Sequence, residues 1–201
     1  MDVFSSSNSS FSIVNHRLMG GGVIHLECPK NRRGLGEPDM IILHYTGGTS
    51  AMSSAKFLVR PDVKASAHVV IGRDGQVIQL VPFNIEAWHA GKSSYGGRCE
   101  LNHYSIGIEL DNLGQLRLEG GKFVAECGKE VPVGEVYTED SGEEPTYWHD
   151  YTDVQMQVLN EVCGLLGDTY PIGDIVGHSD VTSRKVDPGP ALRVADWIQY
   201  Y

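Results

Sequence analysis

The segment Met40-Ile41-Ile42-Leu43-His44-Tyr45 limits most strongly what this chain can become. It is apolar without alternation, of strand length and rich in β-formers, so both of its faces must be covered, as in the middle strand of a layered sheet. A histidine stands at its exit. A second strand, Ser105-Ile106-Gly107-Ile108-Glu109-Leu110, alternates: Ile106, Ile108 and Leu110 share a core face, and Ser105, Gly107 and Glu109 share the other. Glu109 then projects over small neighbours that leave room for a ligand. A third short run, Asp174-Ile175-Val176-Gly177-His178, again ends in a histidine.

Other elements fit around these strands. Ser66–Ile71 and Gln76–Val81 flank Arg73-Asp74-Gly75 and read as a β-hairpin. Ser50–Val59 reads as a short helix stopped by Pro61, and Thr152-Asp153-Val154-Gln155 supplies a capping box to a longer helix carrying Val154, Val158, Leu159, Val162, Leu165 and Leu166 at helical spacing. Strands interleaved with helices indicate an α/β single domain with a central mixed β-sheet flanked by helices. At 201 residues, 41% of them hydrophobic, the chain is long enough for one good core. Residues 1–22, Ser-rich and closing on Gly20, Gly21 and Gly22, read as a flexible N-terminal arm, and residues 23–201 as the folded unit. The stretch at about 112–149, rich in Gly, Glu, Lys and Pro, reads as a surface insertion with a hairpin of its own.

A formal net charge of -10 argues against nucleic acid and against an anionic membrane surface as partners. Cys28, Cys99, Cys127 and Cys163 are too widely spaced for a thiolate metal site and read as reduced thiols. With no secretory-type start and no run of membrane-spanning length, the expected location is cytoplasmic, a phage product released by lysis being the alternative.

Three polar positions carry chemistry: His44 and His178 at strand exits, and Asp187 in Arg184-Lys185-Val186-Asp187-Pro188-Gly189-Pro190. One strand-end histidine alone is more often structural, but two imidazoles and a carboxylate leave the fourth position of a tetrahedral zinc open, as catalytic zinc sites do. Lys185 lies two residues from Asp187, on the same side of an extended segment, where an ammonium would face a developing oxyanion. It also reads as a solvated basic residue, and Glu109 also reads as a surface strand residue. A carboxylate facing the same cleft would instead carry a proton to the leaving nitrogen.

The blocks Ile41-Ile42-Leu43-His44, Ser66-Ala67-His68, Trp88-His89-Ala90-Gly91, Ser105-Ile106-Gly107-Ile108-Glu109, Val176-Gly177-His178-Ser179-Asp180 and Arg184 to Pro190 resemble, in order, those of the zinc-dependent N-acetylmuramoyl-L-alanine amidase family. That family includes bacterial muropeptide-recycling amidases, phage lysozyme-type amidases and peptidoglycan recognition proteins. The resemblance implies a peptidoglycan-recognition-protein-like fold and makes residues 23–201 an amidase domain. It implies one Zn2+ per chain on His44, His178 and Asp187, with Glu109 as general acid/base and Lys185 as transition-state stabiliser. The implied reaction cuts the amide between the lactyl group of N-acetylmuramic acid and L-alanine, in peptidoglycan or muropeptides. Tyr45, Lys64, Trp88, His89 and Ala90 are the candidate substrate-binding residues. Core packing for Trp88 and a structural hydrogen bond for His89 fit as well. His68, inside a strand, reads as structural rather than as a fourth ligand. Lys64 stands where the recycling amidases carry an arginine and Glu100 where they carry another basic residue, which bears on preference for the 1,6-anhydro sugar. A muropeptide-binding module without turnover and a zinc hydrolase of another acyl-peptide amide are the alternative readings.

Overall fold

The computed structural model describes residues 10–140, 142, 144–192 and 194. The Ser-rich start of the expected arm and the last residues of the expected 23–201 unit lie outside the described residues. A six-stranded mixed sheet forms the centre, in the order Asp174–Gly177, Met40–Tyr45, Ser105–Leu110, Val69–Ile71, Val77–Gln79 and Ile24–His25. The first four run parallel; Val69–Ile71 and Val77–Gln79 pair antiparallel across the Asp74-Gly75 turn, where Gly75 takes a φ of 82°.

Each face of the sheet is covered, as the unbroken Met40–Leu43 run requires. Ile41, Leu43, Ile106, Ile108, Leu110, Val69 and Ile71 pack with Leu159, Val162, Cys163 and Leu166 of the helix Asp153–Thr169. Burying each such aliphatic side chain contributes about 1.5–3 kcal/mol relative to leaving it in water. Over the opposite face, Val70 and Ile78 meet Ala51, Ala55 and Leu58 of the helix Ala51–Leu58. The Ser50 hydroxyl caps that helix by accepting the Ser53 N–H at 3.3 Å.

Only half of the expected capping box forms on the longer helix. The Thr152 hydroxyl accepts the Gln155 N–H at 3.2 Å, but Gln155 falls on the buried face and turns inward. Its side-chain amide donates to the Ile71 and Asp111 carbonyls at 3.0 and 3.1 Å, tying the helix to the carboxyl ends of two central strands.

Within the stretch expected as an arm, Phe11–Val14 and Arg17–Gly20 form an antiparallel hairpin. Its Phe11 and Leu18 are apolar and join the main core, and the Leu18 N–H donates to Gln79 Oε1 at 2.9 Å. The stretch at 112–149 carries more than one hairpin: five strands, in the order Glu130–Val131, Lys122–Ala125, Gln115–Glu119, Thr146–His149 and Val136–Glu139, close over a small core of Leu113, Leu116, Ala125 and Val131. Among the described residues no helix is long and apolar enough to cross a membrane.

His68 is sealed beside Gly107. Its Nδ1 accepts the Gly107 N–H and its Nε2 lies 3.0 Å from the Ile85 carbonyl, which uses both ring nitrogens. Burial pushes this imidazole down to about 4, the hydrogen bond to Ile85 opposing. In the unfolded chain it titrates near ~6.5, so the unfolded state takes up the proton first as the pH falls. The stabilisation from His68 is therefore complete above that value and is lost towards pH ~4, amounting to about 3 kcal/mol. Denaturant unfolding of metal-free protein at about pH 7.5 and about pH 4.5 should show a loss of at least that order; equal unfolding free energies would contradict it.

Candidate active site

The site follows from register. In the parallel ladder Gly177 pairs with Leu43, Leu43 with Ile108, and Ile108 with Val69. One residue further on, His44 pairs directly with Glu109, while His178 leaves the neighbouring strand to begin the short helix His178–Val181. Two histidines and a carboxylate thus stand side by side at the carboxyl edge of the sheet, where parallel α/β sheets open their ligand crevices.

Asp187 arrives from the loop beyond that short helix, and the loop is clamped from several sides. The Ser179 N–H donates to the Asp187 carbonyl at 2.9 Å, and the Tyr151 hydroxyl to the Pro188 carbonyl at 2.8 Å. The indole of Trp148 covers Gly189, where an added Cβ would lie 2.6 Å from Trp148 Cε3. Pro188 in turn packs on Gly177, where a Cβ would come within 2.7 Å of its ring.

His44 Nδ1 and His178 Nδ1 are 3.0 Å apart, and each is 2.9 Å from Asp187 Oδ2. All three residues are buried. Burial alone would raise the Asp187 carboxyl, but the imidazoles of His178 and His44 overcome it and hold the group well below the usual carboxylate range. Burial lowers His44, with Asp187 opposing. On their outer sides, His44 Nε2 lies 3.1 Å from His89 Nδ1, and His178 Nε2 lies 3.4 Å from the Ala90 carbonyl. Two imidazole nitrogens and a carboxylate oxygen are the donor set of a catalytic zinc site. One face of a tetrahedron with bonds of ~2.1 Å has edges of about 3.4 Å. The observed triangle is only slightly tighter, so the residues fit a divalent ion after a small outward shift.

Glu109 faces the same edge, and its Oε2 is buried without a hydrogen-bond partner among the described residues. Burial pushes this carboxyl up to about 8; the Asp187 charge adds to the rise and the Lys185 charge opposes it. Lys185 itself is exposed, and its charge acts on both Glu109 and His44. A groove of about 350 Å³ opens beside Glu109, lined by Thr46, Gly47, Gly48, Ser54, Phe57 and neighbours.

The other expected contact residues divide. Tyr45 packs on Gly114 at the start of the added sheet, and burial, aided by the Asp187 and Glu126 charges, pushes its phenol up to about 12. Trp88 is 37% exposed. His89 and Ala90 are buried behind the two histidines. The room above Gly107 is filled by the His89 ring, since a Cβ there would lie 2.3 Å from His89 Cγ. Lys64 is exposed on the loop after the first helix and makes no bond to the cluster among the described residues. Sequence reasoning passed over Tyr151, Trp148 and Ser105. Their sole signal was proximity to the capping Thr152 and to Glu109.

Comparison with known proteins adds four findings. Residues 34–190 match the family described as N-acetylmuramoyl-L-alanine amidase. The chain is 35% identical over 159 residues to the 1,6-anhydro-N-acetylmuramyl-L-alanine amidase AmpD of Escherichia coli K12, a match covering 78% of this chain and 67% of that protein. Among solved structures it resembles a selenomethionine AmpD derivative, at 27% identity and a TM-score of 0.62 over 92% of this chain and 96% of that one. It also resembles AmpDh3 of Pseudomonas aeruginosa in complex with anhydromuramic pentapeptide, at 28% identity and a TM-score of 0.59 over 85% of this chain and 61% of that one.

If the cluster takes a divalent ion, zinc added to metal-free protein should raise the unfolding temperature, by a stabilisation of about 4 kcal/mol when free zinc is ~1,000-fold above Kd. Asp187→Ala should remove the effect. A zinc response of equal size in that variant, followed by thermal unfolding, would place the ion elsewhere.

Proposed function

Belonging to the N-acetylmuramoyl-L-alanine amidase family, this chain is an amide hydrolase, and we propose that it cuts the bond between the lactyl group of N-acetylmuramic acid and the L-alanine of a muropeptide, with zinc on His44, His178 and Asp187. The observation that carries the reading is the convergence of those three buried donors beside Glu109 at the end of the central strands. The muropeptide ligand of AmpDh3 and the substrate in AmpD's name support the choice of substrate. A complete donor set favours turnover over binding alone.

Zinc, when bound there, supplies Lewis acidity towards the scissile carbonyl and acidifies a water. The chain's own residues do the rest. Glu109 accepts a proton from the attacking water and delivers it to the departing L-alanine nitrogen. It must start ionised, and a cation held by the cluster would lower its pKa from about 8. Lys185, the exposed cation nearest in chain to Asp187, offsets the negative charge that develops on the carbonyl oxygen. The groove beside Glu109 gives the substrate room to lie against the cluster. The location proposed is the cytoplasm, as expected for action on soluble fragments.

Glu109→Gln should retain zinc and lose about two to four orders of magnitude in turnover, measured as stem peptide released from anhydromuropeptides. Near wild-type release would remove Glu109 from the chemistry. Lys185→Ala should lower kcat and, because the Lys185 charge holds the Glu109 pKa down, move the acidic limb of the pH–rate profile to higher pH. An unmoved limb would separate Lys185 from Glu109. Rates on intact sacculi against soluble anhydromuropeptides decide which form of substrate is used.

A further inference from the structure

We propose that His89 is a positioning residue: held by the Ser105 carbonyl, it accepts the outer N–H of His44 and so keeps His44 Nδ1 turned to the metal. The proposal rests on the zinc reading of the cluster and adds to it a residue that touches neither substrate nor ion.

The direction of the chain of contacts follows from the one member that cannot donate. The Ser105 carbonyl is an acceptor only, and it lies 3.4 Å from His89 Nε2. The Ser105 hydroxyl, 3.3 Å from the same nitrogen, is committed to the Leu101 carbonyl at 2.6 Å, so it too presents a lone pair. His89 Nε2 therefore carries the hydrogen. A neutral imidazole has one N–H, so His89 Nδ1 is the acceptor, and it faces His44 Nε2 at 3.1 Å. That nitrogen must be the donor, so His44 Nδ1, 2.9 Å from Asp187 Oδ2 and 3.0 Å from His178 Nδ1, is the nitrogen left for the metal; a proton bonding it to Asp187 in the metal-free protein leaves the Nε2 donation unchanged. The opposite tautomer, with His44 Nε2 bare, would reverse every step and set His89 Nε2 as a bare acceptor against the Ser105 carbonyl.

Two features show that the ring is placed. The backbone N–H groups of His89 and Ala90 both donate to Asn102 Oδ1, at 3.0 and 2.8 Å, which fixes the loop. The His89 ring lies on Gly107, in a space that any Cβ would close. The Ala90 carbonyl does for His178 Nε2 what His89 does for His44, so one loop sets both imidazoles.

The test compares His89→Leu, which fills the space without accepting, with His89→Asn, whose side-chain oxygen can replace Nδ1. Zinc affinity is read by competition with a chromophoric chelator, beside the unfolding free energy of the metal-free proteins. His89→Leu should weaken zinc binding about 10- to 100-fold, the usual effect of losing such a support, and His89→Asn should restore most of it. Long-range nitrogen–proton NMR on the unaltered protein, with and without zinc, should show the hydrogen of His89 on Nε2. Zinc affinity of His89→Leu within about threefold of the wild type, a loss equal in both variants, or a hydrogen on His89 Nδ1 would overturn the proposal. Were wild-type protein to take no zinc, the functional reading would fall, while the NMR assignment would still decide the role of His89.

Discussion

Everything at the site depends on the hydrogen-bonded register of three parallel strands that end together. Because Leu43, Ile108 and Gly177 lie level, His44 and Glu109 are paired neighbours and His178 stands one step along the same edge. Side chains alternate along a strand, so a slip of one residue would bury His44 under the long helix and bring Leu43 to the cluster. The apolar face specifies the register: Ile41, Leu43, Ile106 and Ile108 must all meet Leu159, Val162 and Leu166. Packing on one side of the sheet thereby fixes chemistry on the other. Gln155, whose amide grips the carbonyls of Ile71 and Asp111, ties that packing to the strand ends.

The edge also separates two carboxylates by their surroundings. Asp187, between two imidazoles, is held far towards its ionised form, while Glu109, half-buried with an Oε2 that has no partner among the described residues, is pushed up to about 8. Divergent surroundings of this kind suit the proposed division between a metal ligand and a proton carrier. The formal charge of -10 on the whole chain has little bearing on this division, which arises within the few residues around the cluster.

The parts of this arrangement legible in the sequence were those with a period or a boundary. The unbroken Met40–Leu43 run, the alternation through Ser105–Leu110 and the histidine after Gly177 gave the strands, the covered faces and three of the site residues, because burial on one or both faces imposes a pattern. What stayed hidden depended on contacts distant in sequence. Nothing local to Gly107 shows that its missing side chain admits His89, and nothing local to Gln155 shows that it turns inward instead of closing the capping box. The hairpin at Phe11–Gly20 was obscured by its Ser-rich and Gly-rich flanks, although Phe11, Ile13 and Leu18 reach the main core. The composition of 112–149 spoke of exposure, which its outer faces have, and concealed the small core of Leu113, Leu116, Ala125 and Val131.

The seating of Trp148 on Gly189 bears on how this molecule can be taken apart. An added sheet with its own core has the look of a detachable module, a part that could be trimmed or exchanged between chains. Here its last strand forms the back wall of the turn that delivers Asp187, and its first residues lie under Tyr45. The boundary between ornament and engine therefore runs through the added sheet itself, and a cut at either of its ends would pass through the machinery it borders.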